Sequence, residues 1–326
     1  MTGAALPGKE CDPPRMIQVE QLSKYYGARA AIRNLTFRID PGEVVGFLGL
    51  NGAGKTTTLR ILGCVLLPTS GTVRLAGQDL ATAPRQLRAR IGFLPETPPL
   101  YDEMTVGEYL AFVAGLRSVD PGRIPARVTE TEERTGLAEL DAERISTLSH
   151  GYRQRVGVAQ ALVHAPDVLL LDEPANGLDP VQNVEMRSLI RSLRGDHTVL
   201  VSSHILPEIA QTCDRLLVVR DGELVAQGSE AELQERLGVG SGVELEVAGP
   251  IEAVVTALRG LSGVRSVAVQ PVAGGRAVLR VEAPDSLRPA LAQVALAAGA
   301  QLFRLDVSAD RLESLFLKLA GRGAAA

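Results

Sequence analysis

Gly49-Leu50-Asn51-Gly52-Ala53-Gly54-Lys55-Thr56 lies between a short apolar run, Glu43 to Leu48, and a stretch with Leu59, Leu62 and Leu66 at helical spacing. The octet fits G-x-x-x-x-G-K-[ST], and its setting of strand, glycine loop and helix is what makes that pattern a phosphate site. Glycines let main-chain N–H groups curl around phosphate oxygens, and a helix N-terminus adds a favourable dipole. Lys55 neutralises β- and γ-phosphate charge, and the Thr56 hydroxyl suits Mg2+. A glycine-rich turn alone would mean little in a chain with 33 glycines. The Lys-Thr pair and the flanking elements carry the reading.

Outward from the loop, Asp172 and Glu173 close a second apolar run, Val168 to Leu171. Two acids then stand at the carboxyl end of a strand, where open α/β sheets hold their ligands. Asp172 is the acid to reach Mg2+, and Glu173 is set to polarise an attacking water as general base. Paired acids after a strand more often only cap a helix; these follow a phosphate loop in the right order. Val168 to Leu171 and Thr198 to Val201 lack alternation, as parallel strands covered on both faces do. A helix over Val184 to Leu193 separates them.

The remaining patterns predict strands at Met16 to Leu22 and Leu35 to Ile39, and a helix behind the capping box Thr105-x-x-Glu108. Further helices are expected over Ile124 to Thr135 and from near Gly151 to just before Pro166. Leu216 to Gln227 reads as a hairpin turned at Asp221-Gly222. After Gly238 the composition shifts towards Gly, Ala and Val. Strands at Val243 to Val247, Val264 to Val269, Ala277 to Val281 and Gln301 to Val307 alternate there with helices at Ile251 to Arg259 and Ser286 to Ala298. That is the split βαβ order of ferredoxin-like domains, closed by a helix with Leu312, Leu315, Phe316 and Leu319. The expected division is a loose tail over 1–15, a catalytic domain over 16–238 with helical residues at about 100–165, and an accessory α+β domain over 239–326.

Composition removes several classes. Apolar residues make up 45% and charged ones 22%, which excludes a disordered chain, and a net charge of −4 gives no global reason to bind nucleic acid. Cys11, Cys64 and Cys213 are far apart, which argues against a disulfide framework or zinc knuckle and suits a reducing compartment. The tail lacks the apolar core of a secretion signal. A spanning helix needs about 20 mostly apolar residues, and the best stretch, Leu291 to Phe303, is short and broken by Gln293, Gly299 and Gln301.

With the two motifs in order, the chain from Met16 to Ser229 resembles the ABC ATPase family. Leu148-Ser149-His150-Gly151-Tyr152 stands where that family has its LSGGQ signature, and Ala175-Asn176-Gly177-Leu178-Asp179 looks like its D-loop. His204, after Val201-Ser202-Ser203, is similar to the switch histidine, and Tyr26 to the aromatic that stacks on adenine. In isolation His204 would read as a strand-end histidine, Tyr26 as core and Ser149 as an N-cap; their joint order overrides this. Glu96, in Gly92-Phe93-Leu94-Pro95-Glu96, takes the position of the Q-loop glutamine, and His150 and Tyr152 replace the usual Gly and Gln. These variants resemble a branch of ABC-2-type exporter ATPases.

The resemblance implies an α/β P-loop cassette with a mixed sheet core, an antiparallel β subdomain and a helical subdomain. It implies ATP and Mg2+ as cofactors. Tyr26, Gly49, Asn51, Gly52, Gly54, Lys55, Thr56 and Thr57 would bind ATP, Ser149 and Gly151 would close over the partner copy's ATP, and Asp179 would belong to the D-loop. Thr56, Asp172 and Glu96 would face the metal, while Glu173, His204 and Lys55 would act in catalysis. The expected partners are an integral-membrane permease and a second ATPase copy, with no nucleic acid. The expected location is the cytoplasmic face of the cell membrane, and the expected role is the motor of an exporter. The alternative is a soluble ABC ATPase acting on nucleic acid, ribosome or cofactor assembly, which the single cassette without basic tract or coiled-coil insert disfavours.

Overall fold

Two strands, Ile17–Tyr26 (β1) and Arg29–Ile39 (β2), form an antiparallel hairpin across the two-residue turn Gly27-Ala28. Both run further than the hydropathy pattern predicts: Ile17, Val19 and Leu22 against Leu35, Phe37 and Ile39 are buried, whereas most residues nearer the turn, Ser23 and Ile32 apart, are exposed or half-buried. The computed structural model describes residues 16–236, 242–272 and 275–307. The chain divides into two compact units, Met1–Gln227 and Gly228–Ala326.

In the first unit, Val44–Leu48 (β3) is buried at every residue and leads through the glycine loop into Lys55–Leu62 (α1). The helix ends before Leu66, against the sequence reading: Gly63 caps it, and Leu66 packs on the same core from the turn beyond. Ser70–Leu75 (β4) and Gln78–Asp79 (β5) complete a four-stranded antiparallel sheet of order β2-β1-β4-β5. Pro84–Ala89 (α2) and Ile91–Leu94 (β6) follow.

Val106–Leu116 (α3), Ile124–Thr135 (α4) and His150–Leu162 (α5) share a core that includes Leu110, Leu137, Ile145, Val156 and Ala159. The Thr105 hydroxyl accepts from the Glu108 N–H at 3.2 Å and the Glu108 carboxylate accepts from the Thr105 N–H at 2.9 Å, so the capping box is complete. Val168–Asp172 (β7), Pro180–Ser192 (α6), Thr198–Ser203 (β8), Leu206–Ala210 (α7), Arg215–Arg220 (β9) and Glu223–Gly228 (β10) finish the unit. α6 starts earlier than its apolar spacing predicts, because Asp179 caps it and Pro180 fills its first position. The second sheet has order β10-β9-β3-β8-β7-β6, with parallel pairing from β9 through β6. The hairpin turn at Asp221-Gly222 has φ of 51° and 83°, the two positive values a type I′ turn needs.

The second unit begins with Glu230–Arg236 (α8) and contains Gly242–Ala248 (β11), Ile251–Arg259 (α9), Ser266–Val272 (β12), Arg276–Glu282 (β13), Arg288–Ala297 (α10) and Gln301–Val307 (β14). Its antiparallel sheet has order β12-β13-β11-β14, the split βαβ arrangement. Val243, Leu245, Val247, Leu279 and Val281 pack with Val254, Leu258 and Leu291 of the two larger helices. The other side chains of β11 form cross-strand ion pairs, Glu244 with Arg280 at 3.0 Å and Glu246 with Arg276 at 3.2 Å. The closing helix with Leu312, Leu315, Phe316 and Leu319, the tail over 1–15 and Cys11 lie outside the described residues. Among the described residues no helix is long and apolar enough to cross a membrane.

Candidate nucleotide site

The carboxyl ends of β3, β7 and β8 converge, and the sheet register determines which side chains meet there. Asp172 pairs with Ser202 across β7 and β8, and Leu48 with Ser203 across β3 and β8. The Gly49 N–H donates to the Ser203 carbonyl at 3.3 Å, which anchors the start of the glycine loop to the end of β8. Gly54 then turns the chain into α1 with φ of 102°; a Cβ there would lie 2.5 Å from the Ala31 carbonyl oxygen, so the loop and β2 are in direct backbone contact.

Lys55, only 5% exposed, curls back over its own loop. Its Nζ donates to the Gly49 carbonyl at 2.7 Å and the Leu50 carbonyl at 3.4 Å, and lies 3.2 Å from Glu173 Oε1. Glu173 Oε2 is 2.9 Å from His204 Nδ1, so one buried carboxylate joins the lysine to the histidine. Glu173 has φ of 50°, a left-handed conformation that a non-glycine residue adopts at a cost of about 1–2 kcal/mol. This kink follows directly after β7.

Ser202 is fully buried between the two acids. Its hydroxyl donates to Asp172 Oδ1 at 2.6 Å and accepts from the Glu173 N–H at 2.9 Å. Asp172 is 1% exposed, and its Oδ2 has no hydrogen-bond partner among the described residues. An orphaned buried carboxylate oxygen suits Mg2+, which takes one or two protein oxygens and completes its shell with water and phosphate. The Thr56 hydroxyl, in the lining of the adjoining cavity, is a second oxygen of the right chemistry. No cluster of three His, Cys, Asp or Glu residues that could hold a metal by protein ligands alone occurs among the described residues.

A cavity of about 760 Å3 opens in front of this convergence. It gathers ten of the expected residues: Tyr26, Asn51, Gly52, Gly54, Lys55, Thr56, Thr57, Glu96, Glu173 and His204. Tyr26, 51% exposed, stands at the end of β1 with the Lys24 ammonium 5.4 Å from its ring centre. Gly49 and Asp172 sit behind the cavity as supports of Lys55 and Ser202. Ser149 and Gly151 do not line it; Ser149 is the N-cap of α5 and accepts from the Tyr152 N–H. Asp179 is likewise an N-cap, accepting from the Val181 and Gln182 N–H groups at 2.9 Å each.

Seven lining residues were not anticipated: Ala28, Ala30 and Ala31, and the polar Arg29, Arg33, Asn176 and Asp221. Arg29 and Arg33 both lie on β2, where a register shift against β1 between Ile32 and Ala30 interrupts the strict alternation of faces. The Asp221-Gly222 turn is tied in by the Arg33 N–H, which donates to the Gly222 carbonyl at 2.8 Å, and by the Gly222 N–H, which donates to the Ala53 carbonyl at 3.2 Å.

Residues 32–176 match the family model described as ABC transporter. An uncharacterized ABC transporter ATP-binding protein of Bacillus subtilis, YxlF, is 38% identical over 68% of this chain and 73% of its own length. This chain belongs to the ABC transporter ATP-binding family. The similarity to the linearmycin resistance ATP-binding protein LnrL of Bacillus subtilis, 32% identical, covers 94% of this chain and 99% of that protein. A solved structure of the ATP-binding subunit of an ABC transporter superposes with a TM-score of 0.62 at 28% identity, over 68% of this chain and 93% of that one. A dimeric cassette solved in a post-hydrolysis state with ADP and phosphate superposes with a TM-score of 0.60 at 25% identity, over 66% and 98%. The chain is therefore an ATP-binding, ATP-hydrolysing subunit of an ABC transporter, with the cassette fold its loop implied. Subunits of this family work in pairs and with a membrane permease component.

Proposed function

We propose that this chain is the motor of an exporter, hydrolysing ATP in a site completed by a second copy and driving a separate permease from the cytoplasmic face of the membrane. The observation that carries the reading is the Glu173 carboxylate in the cavity lining, held 3.2 Å from Lys55 and 2.9 Å from His204. Phosphoryl transfer asks a protein mainly for positioning and charge stabilisation. Lys55 supplies positive charge to the β- and γ-phosphates, and the His204 ring, 2.9 Å away at Nδ1, keeps the Glu173 carboxylate oriented. Glu173 accepts a proton from the attacking water. Thr56, Asp172 and Glu96 would hold Mg2+, which would supply neutralisation of phosphate charge. Tyr26 offers a free ring face to the base.

The half-site is incomplete alone, since Ser149 and Gly151 lie outside the cavity of their own chain. A two-fold pair, in which each copy's α5 closes the other's ATP, gives every half-site its missing wall. Closure by ATP and opening after hydrolysis then form the working stroke. A relative that aligns through both units is named for resistance, which supports export. The second unit carries no catalytic constellation among its described residues, and we assign it to stabilising or regulating the pair.

Glu173→Gln tests the reading. It keeps the shape and removes the base, so turnover should fall by about 10²–10⁴-fold while ATP is retained and drives a stable dimer. Phosphate release and size-exclusion chromatography with ATP measure both. Turnover equal to the parent would remove Glu173 from the reaction.

A further inference from the structure

His150 occupies a position where the family signature usually has glycine, so its imidazole is an addition to that turn. Its Nε2 lies 3.0 Å from the main-chain carbonyl of Asn176. A carbonyl only accepts, so Nε2 carries the proton, and the ring reaches from the first turn of α5 to the segment after Glu173. We propose that His150 is a positioning residue that ties the start of α5 to residues 176–179, so that the two segments presented to the second copy move as one piece. This inference rests on the two-copy reading given above.

Three observations support the tie. The two segments are in close apposition around it: a Cβ on Gly177 would lie 3.1 Å from His150 Nε2, and one on Gly151 would lie 2.5 Å from the Gln182 carboxamide carbon. One turn further along, Arg155 of α5 and Glu185 of α6 form an ion pair at 2.5 Å. Asn176 also belongs to the nucleotide cavity of its own chain, and its N–H donates to the Glu173 carbonyl at 3.0 Å. The main chain at Asn176 is thus held on one side by the general base and on the other by His150. On the opposite side, His150 lines a small cavity of about 150 Å3 with Glu96, Thr97, Pro98 and Arg153. His150 thus bonds to the segment at 176–179 and shares a cavity with the loop at 96–98, and neither a glycine nor an alanine at that place could make the hydrogen bond.

The test uses the full chain with Glu173→Gln as parent and ATP as ligand, comparing His150→Ala and His150→Gln. Glutamine can donate to the same carbonyl; alanine cannot. His150→Ala should weaken the ATP-dependent dimer about three- to tenfold, the effect of losing one such hydrogen bond, while a fluorescent ATP analogue binds the separated copies within about twofold of the parent. His150→Gln should recover most of the dimer. Amide hydrogen exchange at 176–179 in the separated His150→Ala chain should speed up by a similar factor. Unchanged exchange there, or a glutamine variant as weak as alanine, overturns the proposal. A parent that stays monomeric with ATP instead overturns the two-copy reading itself, and the exchange result distinguishes the two failures.

Discussion

Replacing Glu132 by glutamine should stabilise the protein above neutral pH and leave it unchanged in acid. Glu132 is 5% exposed on α4, its Oε1 has no partner, and burial followed by the neighbouring Asp141 raises its carboxyl from 4.5 to about 7. A carboxyl whose folded pKa is raised favours the protonated form, so the folded state loses stability as pH rises from about 4.5 to 7, and the whole penalty is present above that. The shift corresponds to at most about 3 kcal/mol; screening by solvent near Asp141 trims it to about 1–2 kcal/mol. Glutamine has the same shape, never ionises, and donates to Asp141 at every pH. Urea unfolding of both chains, followed by far-ultraviolet circular dichroism, should give Glu132→Gln an advantage of about 1–2 kcal/mol at pH 8 that closes by pH 4. His164, lowered to about 4 by burial and by Arg117, weakens the fold in acid in both chains alike and cancels from the difference. A gap of equal size at both pH values would refute the account.

Further expectations concern the nucleotide site. Tyr26→Ala should raise the dissociation constant for ATP about 5- to 100-fold, the worth of one base–aromatic stack, and Tyr26→Phe should not; equilibrium titration with a fluorescent analogue measures it. Ser202→Ala leaves Asp172 Oδ1 and the Glu173 N–H without their shared partner, so turnover should drop about tenfold or more with the fold intact, read from phosphate release at saturating ATP. Glu96→Gln should shift the Mg2+ concentration needed for half-maximal hydrolysis, whereas an unaltered metal dependence would take Glu96 out of the metal's surroundings.

The loop at Gly49 to Thr56 and the acids after β7 were legible because each sits at a switch from strand to helix, where residue type and spacing are tightly constrained. The hairpin tips were not. Between Ser23 and Asn34 most residues are exposed while Ser23 and Ile32 are buried, and register shifts between the two strands break the alternation that marks a half-buried strand, so the reading stopped β1 at Leu22 and started β2 at Leu35. Arg29 and Arg33 were lost with those tips. β4, β5, β6 and α2 were missed as well, each being six residues or fewer and too short to show a period. Ser202 received no role from the sequence; only the register of β7 with β8 reveals it between the two acids. The start of α6 was legible in principle, since Asp179-Pro180 is a cap followed by an ideal first residue.

The curl of Lys55 onto its own loop has a consequence for how fast the machine can load. The ammonium is already withdrawn from water and already matched to an anion, Glu173. Its dehydration is completed when the chain folds, and an arriving triphosphate exchanges one negative partner for another instead of stripping a hydrated cation. The loop needs no rebuilding, so little freedom is lost at the encounter. Release of Glu173 by that exchange also frees the base at the moment when a substrate is present for it to act on.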